Sequence, residues 1–188
     1  KNDKKEGNWK YYYDDTRLRS EIQFHNSKME GSAVYYDSVR QYKNVVGQFE
    51  NDKKEGKWRF YYNDTRLMSE INFHNDKKNG YAIYYDSATG KKEKEGKYKE
   101  GLRQGEWFSY EPMARIMTEQ INFLDNKRHG DAVFYFANSG LKKSEGNYYQ
   151  GKREGRWTYY YEHGGQISQI ENYQAGMLDG KVICYDSL

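Results

Sequence analysis

The chain has almost none of the residues that build disulfide frameworks, zinc clusters or membrane spans. Cys184 is the single cysteine among 188 residues, which excludes an internal disulfide and a cysteine-rich zinc site. No apolar run approaches the roughly 20 residues that cross a bilayer, and no signal-peptide core is present. We therefore expect a chain that is soluble as given, either cytoplasmic or exported with its signal removed.

Aliphatic residues are scarce, and neither charge sign dominates. Only 36% of residues are hydrophobic while 18% are aromatic, with 21 Tyr and 4 Trp, so a core must be built from rings. These rings favour order, because disordered chains are poor in aromatics. With 31 basic and 28 acidic side chains, the net charge of +3 is too small to favour nucleic acid as a partner.

What the chain has instead is an internal repeat. A tyrosine stands five residues after each of eight glycines, and an aromatic stands seven residues before each of them but the first. These marker glycines recur every 24 or 25 residues, at Gly7, Gly31, Gly56, Gly80, Gly105, Gly130, Gly155 and Gly180. Eight units of about 25 residues therefore fill the chain, and we interpret residues 1–188 as a single repeat array.

The units alternate between two kinds. Two residues after the marker (position +2), odd units carry tryptophan and even units carry alanine or valine. Nine residues before the marker (position −9), the tryptophan units carry glycine, and the first three alanine units carry isoleucine. A large side chain at one of these positions accompanies a small one at the other, so we predict that the two positions touch across a hairpin. That register would place the aromatic at −7 opposite the marker glycine, with the four residues from −5 to −2 as the loop.

The segments between turns have the composition of strands. "NWKYYY", "KWRFYY" and "AIYYD" are rich in aromatic and β-branched residues, and turn pairs such as Asn51-Asp52 and Asn75-Asp76 separate such segments. No segment has a convincing helical pattern. The sequence therefore predicts an all-β fold, an elongated single-layer antiparallel meander of β-hairpins in which each repeat contacts only its neighbours.

The repeat resembles a known family. The pattern G-x-W-x-x-Y-Y, a turn, E-x-x-F and then N-x-K-x-x-G is similar to the bacterial variant of the MORN (membrane occupation and recognition nexus) repeat. It is clearest in "EGKWRFYYNDTRLMSEINFHNDKKNG" and "YKEGLRQGEWFSYE" and extends over the whole chain. The resemblance implies an elongated, twisted sheet of hairpins that serves as a binding or scaffolding surface. Relatives are described as contacting lipid headgroups or proteins, and some as antitoxin components.

Motifs for catalysis are missing. The chain has no phosphate-binding P-loop, no G-x-S-x-G elbow and no H-E-x-x-H. His25 and His74 occupy one repeated position and are interpreted as surface residues, and Cys184 as structural. A carboxylate recurs in the second strands, at Glu21, Glu70, Glu95 and Glu145. We interpret these as solvated strand residues rather than a catalytic pair. The prediction is a non-enzyme without cofactor or metal.

The first candidate binding feature is a basic edge formed by positions −3 and −2. Its members are Lys4, Lys5, Lys28, Lys53, Lys54, Lys77, Lys78, Arg103, Lys127, Arg128, Lys152 and Arg153. Successive loops on one side would line these charges up to engage the phosphates of lipid headgroups or nucleic acid, or an acidic protein. The alternative is that they only keep the loops solvated and discourage aggregation.

The second candidate is an aromatic face. Its members are the tyrosines at +5: Tyr12, Tyr36, Tyr61, Tyr85, Tyr110, Tyr135 and Tyr160. Strand alternation places them opposite the tryptophans, and the tryptophan face is the predicted core. Because a single-layer sheet cannot bury both faces, one aromatic row stays partly exposed as a protein site. Alternatively, the tyrosines only hold neighbouring strands together.

The sequence thus predicts a non-enzymatic interaction scaffold that binds a protein partner through the aromatic face, the basic edge or both. The alternative is a binder of anionic, phosphoinositide-like lipid headgroups at a membrane surface. A third hypothesis is an antitoxin-like neutralising protein or a small hydrolase. Both terminal hairpins look incomplete, so end-to-end self-association or a longer array is a further prediction.

Overall fold

A computed structural model describes residues 4–186, and every regular element among them is a β-strand. The strands are β1 (Gly7–Tyr12), β2 (Leu18–His25), β3 (Lys28–Tyr36), β4 (Lys43–Glu50), β5 (Lys53–Tyr61), β6 (Leu67–His74), β7 (Lys77–Tyr85), β8 (Lys92–Lys99), β9 (Leu102–Glu111), β10 (Ile116–Leu124), β11 (Lys127–Tyr135), β12 (Lys142–Tyr149), β13 (Lys152–Tyr160), β14 (Ile167–Gln174), β15 (Met177–Leu178) and β16 (Ile183–Cys184). They form one open antiparallel sheet in hairpin-meander order, with β16 paired to β14. This confirms the predicted all-β meander. The described residues hold no helix that could span a membrane.

Two compact units divide the chain. Unit 1 comprises Lys1–Gly90 and Tyr98–Gly101, and unit 2 comprises Lys91–Lys97 and Leu102–Leu188. Each unit is a run of consecutive hairpins of the same design, so each can be described by itself. The hypothesis that residues 1–188 act as a single array stays a prediction.

The hairpins close through turns at the predicted turn pairs. Asn51 and Asp52 have φ angles of 49° and 67°. Two consecutive positive φ angles define the type I′ turn, whose twist matches that of the flanking strands. The turn is shorter than predicted, because Lys53 already pairs with Glu50. The loop thus contains two residues rather than four.

This shorter turn makes one part of the predicted register wrong. Within its own hairpin Phe24 pairs with Met29, not with the marker glycine, and the register shifts just beyond that pair. The marker Gly31 has a φ of 101° and pairs with Phe49 of the following strand instead. The physical reason is that a two-residue turn starts the strand two residues early. A bulge absorbs the surplus residues at a glycine, which tolerates positive φ.

One row of side chains crosses the middle of each unit and confirms the large-to-small compensation. The row reads Trp9, Ile22, Ala33, Gly47, Trp58, Ile71 and Ala82 in unit 1, and Gly96, Trp107, Ile121, Ala132, Gly146, Trp157 and Glu171 in unit 2. Position −9 faces +2 in the pair Ile22 and Ala33. A Cβ added to Gly47 would lie 2.2 Å from Cδ2 of Trp58, so the indole occupies the space of the missing side chain.

The tryptophan face is the core, as predicted. Trp58 and Trp157 are 0% exposed and Trp107 is 4% exposed. Rings at −7 pack edge-on against these indoles, as where the Phe49 centroid lies 5.1 Å from that of Trp58 at 80°. Trp9 on β1 is the exception at 39% exposure.

Candidate interaction surfaces

The predicted basic edge lies along the hairpin turns, and it separates into two rows with different environments. The exposed row, at position −3, consists of Lys4, Lys28, Lys53, Lys77, Lys127 and Lys152. The capping row, at position −2, consists of Lys5, Lys54, Lys78, Arg103, Arg128 and Arg153, all partly buried. In unit 1 the exposed lysines reach the next turn. Lys53 Nζ lies 3.4 Å from Asn75 Oδ1, and Lys77 Nζ lies 2.7 Å from Glu100 Oε2.

The capping row covers the aromatic core. Lys54 Nζ lies 4.6 Å from the Trp58 ring centroid and 5.3 Å from that of Phe73. Arg153 Cζ lies 4.4 Å from the Trp157 centroid. Cation–π contacts of this kind contribute about 0.5–2 kcal/mol, depending on desolvation. Half of the predicted basic edge therefore packs on the core, and sequence reasoning missed this because the assumed four-residue loop placed position −2 in solvent.

Carboxylates interleave with the lysines of this edge in unit 1. The eight lysines Lys4, Lys5, Lys28, Lys53, Lys54, Lys77, Lys78 and Lys99 share the edge with seven acids, Glu6, Glu30, Glu50, Asp52, Glu55, Asp76 and Glu100. Several acids accept backbone N–H groups of the next turn: Glu30 Oε2 lies 2.9 Å from Asn51 N, and Glu55 Oε2 lies 3.1 Å from Asn75 N. The edge of unit 1 is thus nearly balanced in charge rather than strongly basic.

The two repeated histidines lie exposed on the same edge. His74 Nδ1 is 3.0 Å from Glu55 Oε1, and His25 Nδ1 is 3.2 Å from Glu6 Oε2. The hydrogen bond to Glu55 raises the pKa of His74, and its counterpart lowers the pKa of Glu55. Within residues 4–186, no group of three or more His, Cys, Asp or Glu side chains is placed to hold a metal ion.

The predicted aromatic face lies opposite the tryptophans, and we call it the second face. Next to the core pair Trp58 and Ile71, Arg59 pairs with Glu70 on the other side of the sheet. The repeated glutamates at −10 share this second face. The tyrosines at +5 lie beside them, because Tyr110 Oη donates to Glu95 Oε1 at 2.7 Å.

These tyrosine–glutamate contacts correct one prediction. Glu95 is 9% exposed and therefore buried, not solvated, and Lys92 Nζ lies 2.9 Å from both of its carboxylate oxygens. The tyrosine ring shields the carboxylate, and its hydroxyl takes the place of water. In the equivalent cluster, hydrogen bonds from Tyr160 and Lys142 lower the pKa of Glu145. The second face is thus an ordered surface whose tyrosines are half-buried, apart from Tyr12 at 55% exposure.

A row of amides on the second face was not recognised in the sequence. Position −8 carries an amide in six units, at Gln23, Gln48, Asn72, Asn122, Asn147 and Asn172. Gln23 Oε1 accepts Ser32 N at 2.7 Å, and Asn72 Nδ2 donates to Tyr81 O at 3.1 Å. These amides satisfy backbone groups that the bulge leaves unpaired. Their recurrence was the available signal.

Unit 2 has a groove of about 390 Å³ on its second face. The core-row residues Ala132 and Gly146 also line it. The polar residues lining it are Glu106, Gln120, Asn122, Asp131, Glu145, Asn147, Arg156 and Thr158. Gln120 Nε2 donates to Glu106 Oε1 at 2.9 Å, which fixes one wall. Three carboxylates and one guanidinium line the groove. Because Lys142 Nζ already pairs with Glu145 Oε2 at 2.9 Å, the acidic character of the groove comes from Glu106 and Asp131.

The turn, the bulge glycine and the ring that follows it recur as one structural unit. Residues 23–38, 46–64, 72–87 and 122–141 match the family model of the MORN repeat. These four segments of the chain are MORN repeats. The segment 46–64 shows what a MORN repeat contains here: the Asn51-Asp52 turn, the bulge at Gly56, and the core ring of Trp58. MORN repeats are generally binding modules for proteins or lipids.

Other comparisons add little to this assignment. No curated protein matches the sequence. Among solved structures, an alternansucrase in complex with isomaltononaose is 12% identical, with 91% of this chain and 16% of that chain covered. Its TM-score of 0.23 is too low to support a shared fold or activity.

Proposed function

We propose that this MORN-repeat chain is a non-enzymatic scaffold that binds a protein partner through its second face. The observation that carries the proposal is the acidic groove of unit 2, next to a half-buried row of tyrosines. Tyrosine and arginine are enriched at the centres of protein interfaces, because large, partly ordered side chains bury area at low entropic cost. The tryptophan face is already covered by its own rings and by the capping row.

The groove specifies the chemistry of the partner. Glu106 and Asp131 outnumber Arg156, so a partner segment carrying lysine or arginine is favoured. The amides of Gln120 and Asn147 supply donors and acceptors for a peptide backbone. We therefore propose a basic protein segment as the ligand of the groove.

Site-specific photo-crosslinking in the source cells tests this proposal. A benzophenone amino acid at Asn147, which is exposed in the groove, is expected to yield a protein adduct. The same probe at Lys127, which is exposed on the turn edge, is the matched control and is expected to yield none. The double substitution Glu106→Lys with Asp131→Lys should remove the adduct. An adduct that forms only at Lys127, or that persists in the double variant, would contradict the proposal.

A second candidate is binding to an anionic membrane, which the exposed row of lysines favours. Each basic residue near such a surface contributes about 1 kcal/mol, but the interleaved carboxylates of unit 1 oppose this attraction. Lys53, Lys54, Lys77 and Lys78 are replaced by alanine. The melting temperature should then fall only by the small amount that the lost cation–π contacts of the capping lysines Lys54 and Lys78 contribute. Sedimentation with vesicles rich in phosphatidylserine at low salt then separates the candidates. Binding that the four substitutions abolish would favour the membrane, and absent binding would favour the protein partner.

A further inference from the structure

The row of rings on the tryptophan face is interrupted at Ser109 and at Cys184, both in unit 2, and Ser109 lies within the long strand β9. Four residues after the marker (position +4), the repeat carries a ring at Tyr11, Tyr35, Phe60, Tyr84, Phe134 and Tyr159. The fifth unit carries Ser109 instead. A cavity of about 100 Å³ takes the place of the missing ring. The cavity needs an explanation, because every other position of this row in the first seven units carries a ring.

The residues around this cavity also depart from the repeat. Eleven residues before the marker (position −11), the other units carry Ser20, Val45, Ser69, Ser144 and Gln169. At the cavity the same position supplies two charged residues, Lys94 and Glu119. Two members of the capping row, Arg103 and Arg128, complete the polar lining. Three cations therefore converge with one carboxylate, and two of these four charged residues stand at position −11, which is uncharged in the other units.

The cations of the cavity keep hydrogen-bonding capacity to spare. Arg103 Cζ stacks 4.0 Å from the Phe123 centroid, which fixes the guanidinium while leaving most of its N–H groups available. Arg128 Nη1 donates to Tyr148 Oη at 3.1 Å, one of five N–H groups. Within residues 4–186, Lys94 forms no ion pair at 4.0 Å or less. A ligand with negative charge would supply the missing partner.

We propose that this cavity binds a phosphate group, either free or as a phosphomonoester. About 10–15 Å³ of such space holds one water, so the cavity has room for a group of several heavy atoms. Guanidinium N–H groups match phosphate oxygens in a bidentate way, and the ammonium of Lys94 adds a point charge. Glu119 Oε2, which accepts Ser109 Oγ at 3.3 Å, can also accept a proton-bearing phosphate oxygen. Sulfate has no such proton at neutral pH, so the carboxylate favours phosphate.

This site is independent of the proposed protein interface, because it lies on the opposite face of the sheet. The test is calorimetric titration of the full chain with inorganic phosphate and with sulfate at matched ionic strength. We expect saturable phosphate binding that is about tenfold tighter than sulfate binding, the equivalent of one favourable hydrogen bond. Equal affinities for the two anions, or no saturable phosphate binding, would overturn the proposal.

Two variants locate the binding in the cavity. Ser109→Phe restores the ring of the repeat and should abolish phosphate binding while retaining the fold, which circular dichroism and thermal melting check. Lys94→Ser introduces the residue found at Ser20, Ser69 and Ser144, and should weaken phosphate binding about tenfold by removing one charge–charge contact. Lys127→Ser removes an exposed lysine of unit 2 and is the matched control. Phosphate binding that survives both cavity variants would refute this location.

The source of the phosphate can be separated with vesicles. Vesicles of phosphatidylcholine containing phosphatidylinositol 4-phosphate are compared with phosphatidylcholine alone. Sedimentation of the chain only with the former, lost in Ser109→Phe, would support a lipid headgroup as the source. Binding of free phosphate without sedimentation would support a soluble phosphomonoester.

Discussion

The pairing of a strand glycine with a buried tryptophan gives the sharpest test of the fold. An ideal Cβ on Gly47 would lie 2.2, 2.4 and 2.7 Å from three atoms of the Trp58 indole, whereas real Cβ atoms essentially never approach another heavy atom within 3.0 Å. The ring cannot move aside easily, because it is 0% exposed and its Nε1 donates to Gln48 O at 3.1 Å. Gly47→Ala should therefore destabilise the chain by about 1–3 kcal/mol, the usual range for overpacking.

The effect of Gly47→Ala on the free energy of unfolding should change sign when the indole is removed. Trp58→Ala alone should lower the free energy of unfolding by about 3–5 kcal/mol, as a core truncation. In that background the added methyl group meets no ring, and alanine is about 0.5–1 kcal/mol better than glycine inside a strand. Gly47→Ala should then be stabilising. The Gly47 backbone does not have a positive φ, so no conformational penalty obscures the result.

Urea unfolding of the four proteins, followed by circular dichroism, measures this double-mutant cycle. The expected coupling between the two substitutions is about 1.5–4 kcal/mol, the sum of the relieved clash and the recovered strand preference. Gly101→Ala is the control, because Gly101 has a φ of 86° and no atom within 4 Å of its ideal Cβ. Its cost should be the same with or without Trp58. A coupling below about 0.5 kcal/mol would refute the predicted steric contact, since independent sites add within that limit.

Two further predictions concern hydrogen bonds of the turn edge and the second face. The raised pKa of His74 means that its contact with Glu55 stabilises the folded chain. This stabilisation is fully present below about pH 6.5, the pKa of histidine in the unfolded chain, and is lost as the pH rises through the pKa of the folded state. NMR titration should place the His74 pKa above that of the same histidine in Glu55→Gln, and equal values would rule out the contact. Tyr110→Phe should destabilise the chain by about 1.5–3 kcal/mol in urea unfolding, because buried Glu95 loses a charged hydrogen bond. Tyr12→Phe, at 55% exposure, should change stability by less than about 0.5 kcal/mol, and equal effects of the two substitutions would contradict this assignment.

The strand order and the core could be predicted because both follow from a period. Spacing of the marker glycines located the turns, and the exchange of large and small side chains at −9 and +2 located the core row. The bulge could not be predicted, because one sequence is compatible with a two-residue or a four-residue loop. Its consequences were missed with it: the role of Gly31 at φ 101°, and the packing of Lys54 on Trp58.

The candidate surfaces were only partly predictable for a related reason. Strand alternation assigned the tyrosines to the second face, but the contact of Tyr110 with Glu95 joins residues 15 apart and depends on the tilt of a ring. The proposed phosphate cavity shows the same limit. Ser109 visibly breaks the repeat, yet only the fold brings Lys94, Arg103 and Arg128 together around it.

The central claim is that the tryptophan face holds the fold together while the second face binds a basic protein segment. Its most direct test is the affinity of the purified chain for the partner identified by crosslinking at Asn147. Glu106→Lys with Asp131→Lys should weaken binding at least about tenfold. Each substitution reverses a charge and so replaces an attraction to the basic partner by a repulsion. Lys127→Glu with Lys152→Glu, a matched reversal on the exposed row, should change the affinity by less than about twofold, since these exposed charges lie outside the proposed interface. The opposite pattern, with full affinity in the groove variant and lost affinity in the edge variant, would contradict the account.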